Sequence, residues 1–333
     1  MTQRVRWGVL GAAKIAVEKV IPAMRRGEWS DVTALASRDS GRARGAAERL
    51  GVAKAYGSYE ELLEDASVEA VYVPLPNHLH VEWSIKAAEA GKHVLVEKPV
   101  GLNAGDARRL IEARDRTGVK IQEAFMVHTH PQWLAARDLV RSGRIGELRS
   151  VTCSFSYFNR DAANIRNRRD AGGGALLDIG CYPVNLSRFV LGAEPRRVFG
   201  FVERDPEWGV DRLVSAVLDF GGARATFTCA TQLAPYQRMH FLGTRGWVEV
   251  EIPFNAPNDR PTRVFVGEGP PGSPFETLEF EPCDQYAIQG DLFSRAVREG
   301  TEQPIPLEDA LGNMSVIDAI FRSADTGAWE TPA

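Results

Sequence analysis

The stretch Val5-Arg6-Trp7-Gly8-Val9-Leu10-Gly11-Ala12-Ala13-Lys14-Ile15-Ala16 decides the fold. An apolar run of strand length meets a glycine and then a helix-forming segment, the local order that a dinucleotide-binding turn requires. The fingerprint reads Gly11-x-Ala13-x-x-Ala16, with alanine standing for the second and third glycines. Alanine at the third position still lets helix and sheet pack closely, whereas the Ala13 methyl stands where backbone approaches a pyrophosphate. Gly8, Gly11, Ala12, Ala13, Lys14 and Ile15 are therefore the first candidate cofactor residues. The alternative is a tight strand-helix turn that holds no ligand.

Outward from this turn, apolar runs at Val5–Leu10, Asp31–Ser37, Ala70–Pro74, His93–Val96 and Val119–Gln122 alternate with amphipathic segments. Those segments start near Ile15 and cover Arg42–Leu50, His78–Ala90 and Ala104–Arg116. Strands separated by helices imply a parallel sheet covered on both faces. The chain thus begins with an α/β, doubly wound Rossmann domain over residues 1–122. A helix near Gln132–Arg141 follows, and then strand-like runs at Leu148–Phe158, Arg197–Glu203, Leu213–Phe220, Arg224–Gln232, Arg238–Leu242 and Gly246–Glu251. Successive strands without helices between them predict a C-terminal α+β domain, residues 123–333, with an open, predominantly antiparallel sheet. A helix over Asp178–Leu191 should cover one face, Pro253–Pro274 reads as loop, and helices near Gln285–Arg298 and Leu307–Ser323 finish the chain.

Composition excludes several classes of function. The 333 residues carry a net charge of −4, which gives no electrostatic reason to expect nucleic acid or an anionic membrane as partner. No apolar run reaches the roughly 18 to 20 residues needed to span a bilayer, and the N-terminus runs at once into a strand rather than a secretory signal. The four cysteines, Cys153, Cys181, Cys229 and Cys283, form no CxxC pair and suggest a reducing compartment, so the expected location is cytoplasmic. His-x-His pairs at 78/80 and 128/130 lack a nearby carboxylate or cysteine array, and no metal is expected.

The end of the second strand, Ala36-Ser37-Arg38-Asp39, selects the nucleotide. The Ser37 hydroxyl and the Arg38 guanidinium, with Arg42 one helical turn on, suit a 2′-phosphate and favour NADP, while Asp39 keeps NAD possible. Ligands of open α/β sheets bind outside the carboxyl ends of strands. Leu75-Pro76-Asn77-His78-Leu79-His80 and Glu97-Lys98-Pro99 fall there, where a nicotinamide ring would lie, and Pro99 biases Lys98 toward extended backbone. Farther on, Gly172-Gly-Gly-Ala-Leu-Leu-Asp178-Ile-Gly-Cys-Tyr182 leads from a glycine-rich loop into an apolar helix. Four-residue spacing sets Asp178 and Tyr182 on one helical face, able to bind a hydroxyl-bearing substrate and pass it a proton. Asn164 and Arg166, just ahead of the glycines, offer polar side chains to such a ligand; an ordinary polar loop is the alternative.

These elements together resemble the glucose-fructose oxidoreductase/inositol dehydrogenase family, and the resemblance covers nearly the whole chain. It rests on the fingerprint at Gly8–Ala16, Ser37-Arg38, Pro76-Asn-His-Leu-His80, Glu97-Lys-Pro99, Glu123-Ala-Phe-Met126 and the Asp-x-Gly-x-Tyr element ending at Tyr182. Many members carry histidine at that last position. Tyr182 places the chain nearer the glucose-fructose oxidoreductase, D-xylose dehydrogenase and dihydrodiol dehydrogenase branch. The resemblance implies Lys98 and Tyr182 as catalytic pair, Asp178 as a substrate-hydroxyl ligand, and Asn77, His80, Glu97 and Glu123 along the nicotinamide end of the cleft. It also implies a homodimer or homotetramer formed through the second-domain sheet. Where His128 stands, many relatives have arginine or another residue, so this part of the substrate wall departs from them.

The expected activity is hydride transfer between NADP and a sugar, cyclic polyol or vicinal diol. Tyr182 would be the general acid/base: its phenol, with an ordinary pKa of about 10, would be favoured as phenolate by the Lys98 ammonium, although lysine could donate the proton itself. A transhydrogenase that retains its cofactor is a second enzyme reading. A nucleotide-sensing regulator is a third, disfavoured because both the lysine and the tyrosine are present.

Overall fold

The structure, a computed structural model, describes residues 3–333. It divides into one unit comprising the chain up to Met126 with Asp284–Leu311, and another comprising Val127–Cys283 with Gly312–Ala333.

In the first unit, strands β1 (Val5–Leu10), β2 (Ser30–Ala36), β3 (Lys54–Tyr56), β4 (Ala70–Val73), β5 (His93–Val96) and β6 (Ile121–Glu123) pair in the order β3-β2-β1-β4-β5-β6. Every pairing is parallel. All carboxyl ends therefore lie along one edge, and the order reverses between β1 and β4, where such sheets open a crevice. The run Ala70-Val-Tyr-Val73 is buried throughout, as a strand covered on both faces must be. Helices α1 (Ile21–Arg26), α2 (Ser40–Leu50), α3 (Tyr59–Glu64), α4 (His80–Glu89) and α5 (Ala104–Thr117) connect the strands, with a π-helical turn over Ala16–Val20 ahead of α1. The starts of α2, α3 and α5 are set by side chains that accept orphan amides: Asp39 takes the Arg42 N–H, Ser58 the Glu61 N–H and Asn103 the Asp106 N–H.

In the second unit, α6 (Pro131–Arg141) precedes β7 (Leu148–Phe158), and a π-helical turn over Leu176–Gly180 runs into α7 (Cys181–Leu191). Strands β8 (Arg197–Arg204), β9 (Asp211–Asp219), β10 (Arg224–Ala230), β11 (Gln232–Gly243), β12 (Gly246–Val250), β13 (Thr262–Glu268) and β14 (Phe275–Phe280) follow. The sheet order is β14-β13-β12-β11-β7-β10-β9-β8, antiparallel except for the β10–β7 pair. Strict alternation decides its faces. Val151, Cys153 and Phe155, with Val214, Ala216 and Leu218 and with Ala225, Phe227 and Cys229, are buried beneath helices. The intervening Thr152, Ser154, Ser215, Thr226 and Thr228 line a shallow groove on the other face together with Phe201 and Tyr236. Helix α8 (Gln285–Glu299) belongs to the first unit, and α9 (Leu307–Thr326) spans the division between the units.

The two sheets are of the classes the sequence predicts, but β3, β13 and β14 are not among the expected strands, and the division of the chain differs. The segment Asp284–Leu311 joins the first unit because α8 supplies part of its core. The Phe293 ring packs 5.6 Å from that of Trp7, and the Trp7 indole donates to Ser294 Oγ at 2.9 Å. Arg298 clasps Glu69 at 2.7 Å. The stretch Pro253–Pro274, read as loop, contains β13: Thr262, Val264 and Val266 alternate inward, while the prolines and glycines that suggested a loop flank the strand. Among the described residues, no helix is long and apolar enough to cross a membrane. Phe293→Ala should destabilise the first unit by about 3–5 kcal/mol, read as a lower urea midpoint. An unchanged midpoint would show that α8 is not part of that core.

Candidate active site

The nucleotide half is built at the β1 turn. Gly11 adopts φ +117°, and a Cβ there would fall 3.0 Å from Leu75 Cδ2, so a side chain is excluded both by backbone conformation and by space. Its N–H is held by Ala36 O at 2.9 Å, which brings the ends of β1 and β2 together. From there two guanidinium groups converge on the turn. Arg42 reaches Ala12 O at 3.5 Å, and Arg38 hydrogen-bonds the Tyr59 phenol, whose pKa burial raises against the pull of that arginine. Asp39, which could have met a ribose diol, spends Oδ1 on the Arg42 N–H as helix cap, and Ser37 Oγ accepts the Asp39 N–H at 3.3 Å. Lys14 is exposed and lies 3.9 Å from Glu18, beside the half-buried Ile15. An open glycine turn at a helix start, flanked by two arginines, fits the phosphates of a dinucleotide.

At the carboxyl ends of β4, β5 and β6, Lys98 sits on a turn fixed from both sides. The imidazole of His80 lies between two carbonyls, Nδ1 at 2.8 Å from Pro99 O and Nε2 at 2.7 Å from Leu75 O. Full burial pushes its pKa down to about 4, with Lys98 adding to the effect, and this outweighs the two carbonyls that favour an imidazolium. The neutral ring therefore donates to one carbonyl only. Glu123 Oε1 accepts the Val100 N–H at 2.6 Å. The Lys98–Pro99 peptide is cis. Beside it, the Tyr72 hydroxyl donates to Glu97 Oε1 at 2.5 Å. His80 and Glu123, expected along the cleft, thus hold the backbone on which Lys98 stands, and Glu97 is oriented by a tyrosine from β4. Pro76 and Asn77 are half-buried at the next strand end.

In the second unit the glycine run serves two close approaches and one left-handed backbone angle. Gly172 adopts φ +76°; a Cβ on Gly173 would strike Arg166 O at 2.4 Å; a Cβ on Gly174, at φ +121°, would strike Asp211 Oδ1 at 2.0 Å. Asp211 Oδ2 then accepts the Leu176 N–H at 2.6 Å. One turn on, Asp178 Oδ2 accepts from the Tyr157 hydroxyl at 2.5 Å and from Arg166 Nε at 2.9 Å. Burial and the Asp178 carboxylate push the Tyr157 phenol far up, so it remains a donor. The Tyr182 ring is wedged against Phe155 and Phe254, with centroids at 5.8 and 5.2 Å.

Of the remaining candidates, Arg166 joins Asp178, while Asn164 caps the following turn by accepting the Arg166 N–H at 3.1 Å. His128 packs on α7, its ring 4.3 Å from that of Phe189 and its Nε2 hydrogen-bonded to Asn185 Oδ1. His130 faces Cys283 Sγ at 3.3 Å, so the histidines of the 128/130 pair turn to separate partners. Tyr72, Tyr157 and Asp211 escaped the sequence reading. Tyr157 looks like one more residue of an alternating strand, and Asp211 follows Trp208-Gly209 as a turn residue would.

Comparison with known proteins agrees with both halves. Residues 5–125 match the oxidoreductase family with an NAD-binding Rossmann fold, and residues 133–249 match the GFO/IDH/MocA C-terminal domain. An uncharacterised oxidoreductase of Rhizobium meliloti is 50% identical over 330 residues, 98% of this chain and 99% of the relative. An NADP(+) D-xylose 1-dehydrogenase of Haloferax volcanii is 38% identical over 325 residues, covering 97% and 98%. Among solved structures, a 3-ketoreductase from Actinomadura kijaniata in complex with TDP-benzene and NADP aligns with a TM-score of 0.88 at 33% identity, covering 96% and 98%. Family models that match residues 5–125 and 133–249, with relatives that align over almost the whole length, place this chain in the GFO/IDH/MocA family of oxidoreductases.

Proposed function

We propose that the protein is an NADP-preferring dehydrogenase or reductase acting on the CH–OH or carbonyl carbon of a sugar, cyclic polyol or vicinal diol. The observation that carries this reading is the Lys98 turn, held by His80 and Glu123 at the strand ends where the nicotinamide of a Rossmann domain belongs. Gly8 and the Gly11–Ile15 turn would hold the pyrophosphate, Ser37, Arg38 and Arg42 the 2′-phosphate, and Leu75, Pro76, Asn77 and Glu97 the nicotinamide end. Bound there, NADP supplies the hydride acceptor or, in the reverse direction, the donor. The D-xylose activity in the name of the Haloferax relative makes an aldose the first substrate to try.

On this reading the chain's own groups manage the proton. Tyr182 takes the substrate hydroxyl proton during oxidation and returns it during reduction. Lys98 counters the negative charge that develops on the oxygens. Asp178, oriented by Tyr157 and Arg166, accepts from a neighbouring hydroxyl and sets which carbon is presented. The exposed Phe201 and Tyr236 on the uncovered sheet face make that face the seat of a second copy of the chain. A cytoplasmic location is in keeping with cysteines that form no disulfide among the described residues.

Initial rates with NADP across D-xylose, other aldoses, myo-inositol and a trans-dihydrodiol test the activity. Tyr182→Phe and Lys98→Ala should each lower kcat by about 10²–10⁴-fold while NADP still binds, as followed by nucleotide fluorescence. Wild-type turnover in either variant would remove that residue from the mechanism. Replacing Arg38 and Arg42 by alanine should raise KM for NADP by about 10–100-fold and leave KM for NAD nearly unchanged; equal effects on both would show that neither arginine meets the 2′-phosphate. Phe201→Glu combined with Tyr236→Glu should yield monomers in light scattering, and an unchanged mass would place the subunit interface elsewhere.

A further inference from the structure

Asp211 stands at the start of β9, 2% exposed, and no part of the proposed chemistry uses it. Its carboxylate nevertheless meets the beginning of the helical segment that carries Asp178 and Tyr182. Oδ2 accepts the Leu176 N–H at 2.6 Å, and the Ala175 N–H also hydrogen-bonds the group. Amides in the first turn of a helix have no partner within it. Here they converge on a carboxylate from another element, at the end of the helix where its dipole favours negative charge. Gly174 leaves room for this approach, since any side chain there would displace Oδ1.

We propose that Asp211 is a positioning residue: by holding the Ala175 and Leu176 amides it sets the rotation and axial position of the helical segment, and hence the aim of Asp178 and Tyr182 at the substrate. The catalytic consequence rests on the oxidoreductase reading above; the clamp itself does not.

The energetics separate this role from general stabilisation. Burial pushes the Asp211 carboxyl up to about 6, against the pull of the Leu176 amide and of Arg204 on β8. A carboxyl whose pKa is higher folded than unfolded adds stability in its protonated form, and that contribution is lost as pH rises through the folded value. At neutral pH, therefore, the ionised carboxylate works against the fold, yet it is the stronger acceptor for both amides. Protonation turns one oxygen into a donor. Among the described residues, the Cys229 thiol on β10 faces Asp211 and is kept neutral by burial, and Cys153, Cys181 and Asp178 face that same thiol.

The test follows the Ala175 and Leu176 amide resonances of the ¹⁵N-labelled full-length protein between about pH 5 and 8, alongside kcat and KM. In the wild type both amides should shift in one transition near pH 6, coincident with the acid limb of kcat. Asp211→Asn should abolish the transition and that limb, and lower kcat about 10–100-fold with KM for NADP unchanged. It should melt within about 3 °C of the wild type at pH 8, because it removes a charge that burial disfavours. A transition that persists in the variant, or an unchanged kcat, overturns the proposal. If the variant does not fold, wild-type amides that fail to titrate near the acid limb overturn it equally. If the wild type turns over no substrate while the amides still titrate, the oxidoreductase reading falls and the clamp stands.

Discussion

The hydrogen bond from the Leu176 N–H to the buried Asp211 carboxylate, 2.6 Å long, is the constraint on which the candidate site of the second unit is built. It fixes where the helical segment starts, and everything the segment carries is counted from that point. The glycine run is its counterpart in sequence. Each of Gly172, Gly173 and Gly174 is required by a different neighbour or backbone angle, so the loop has one way to arrive at the helix. Tyr157 and Arg166 then take hold of Asp178, and Phe155 and Phe254 hold the Tyr182 ring. Polar groups orient the carboxylate and apolar ones orient the phenol, as their chemistries demand.

The first unit solves the same problem by another route. Its parallel strands bring Leu75, Glu97 and Glu123 to one edge, but strand ends are loops and need fixing. A fully buried histidine packed between Leu75 O and Pro99 O, kept neutral by burial, donates to one of the two and adds no charge. Glu123 fixes the next amide, that of Val100. The polar residues around Lys98 serve chiefly as struts, and the lysine is presented by backbone that cannot drift.

The sequence shows most of this where a local rule applies. Period-two alternation marks β7 and its inward Val151, Cys153 and Phe155, and a glycine between strand and helix marks Gly11. Asp178 and Tyr182 draw attention because they stand four residues apart where a glycine run becomes a helix. Contacts between distant segments leave no such trace. Tyr157 reaches Asp178 across 21 positions and Asp211 reaches Leu176 across 35, and nothing in their own surroundings announces it. Strand β13 was masked by flanking prolines and glycines, although its Thr262, Val264 and Val266 carry the same alternation as other strands. The place of α8 was invisible for a related reason: an amphipathic helix shows that it has an apolar face but not which core that face completes.

That last point bears on how the chain is made. The first unit begins with β1, yet the ring that packs on Trp7 and the hydroxyl that receives its indole proton arrive only with Phe293 and Ser294. During synthesis the six-stranded sheet must wait, with one flank uncovered, while the whole eight-stranded sheet emerges from the ribosome. The strands of the second unit, β7 to β14, are contiguous apart from the segment leading through α7. The unit encoded first is thus closed only after the second sheet has been made, and the second unit waits in turn for Gly312–Ala333, whose Glu330 pairs with Val198 of β8.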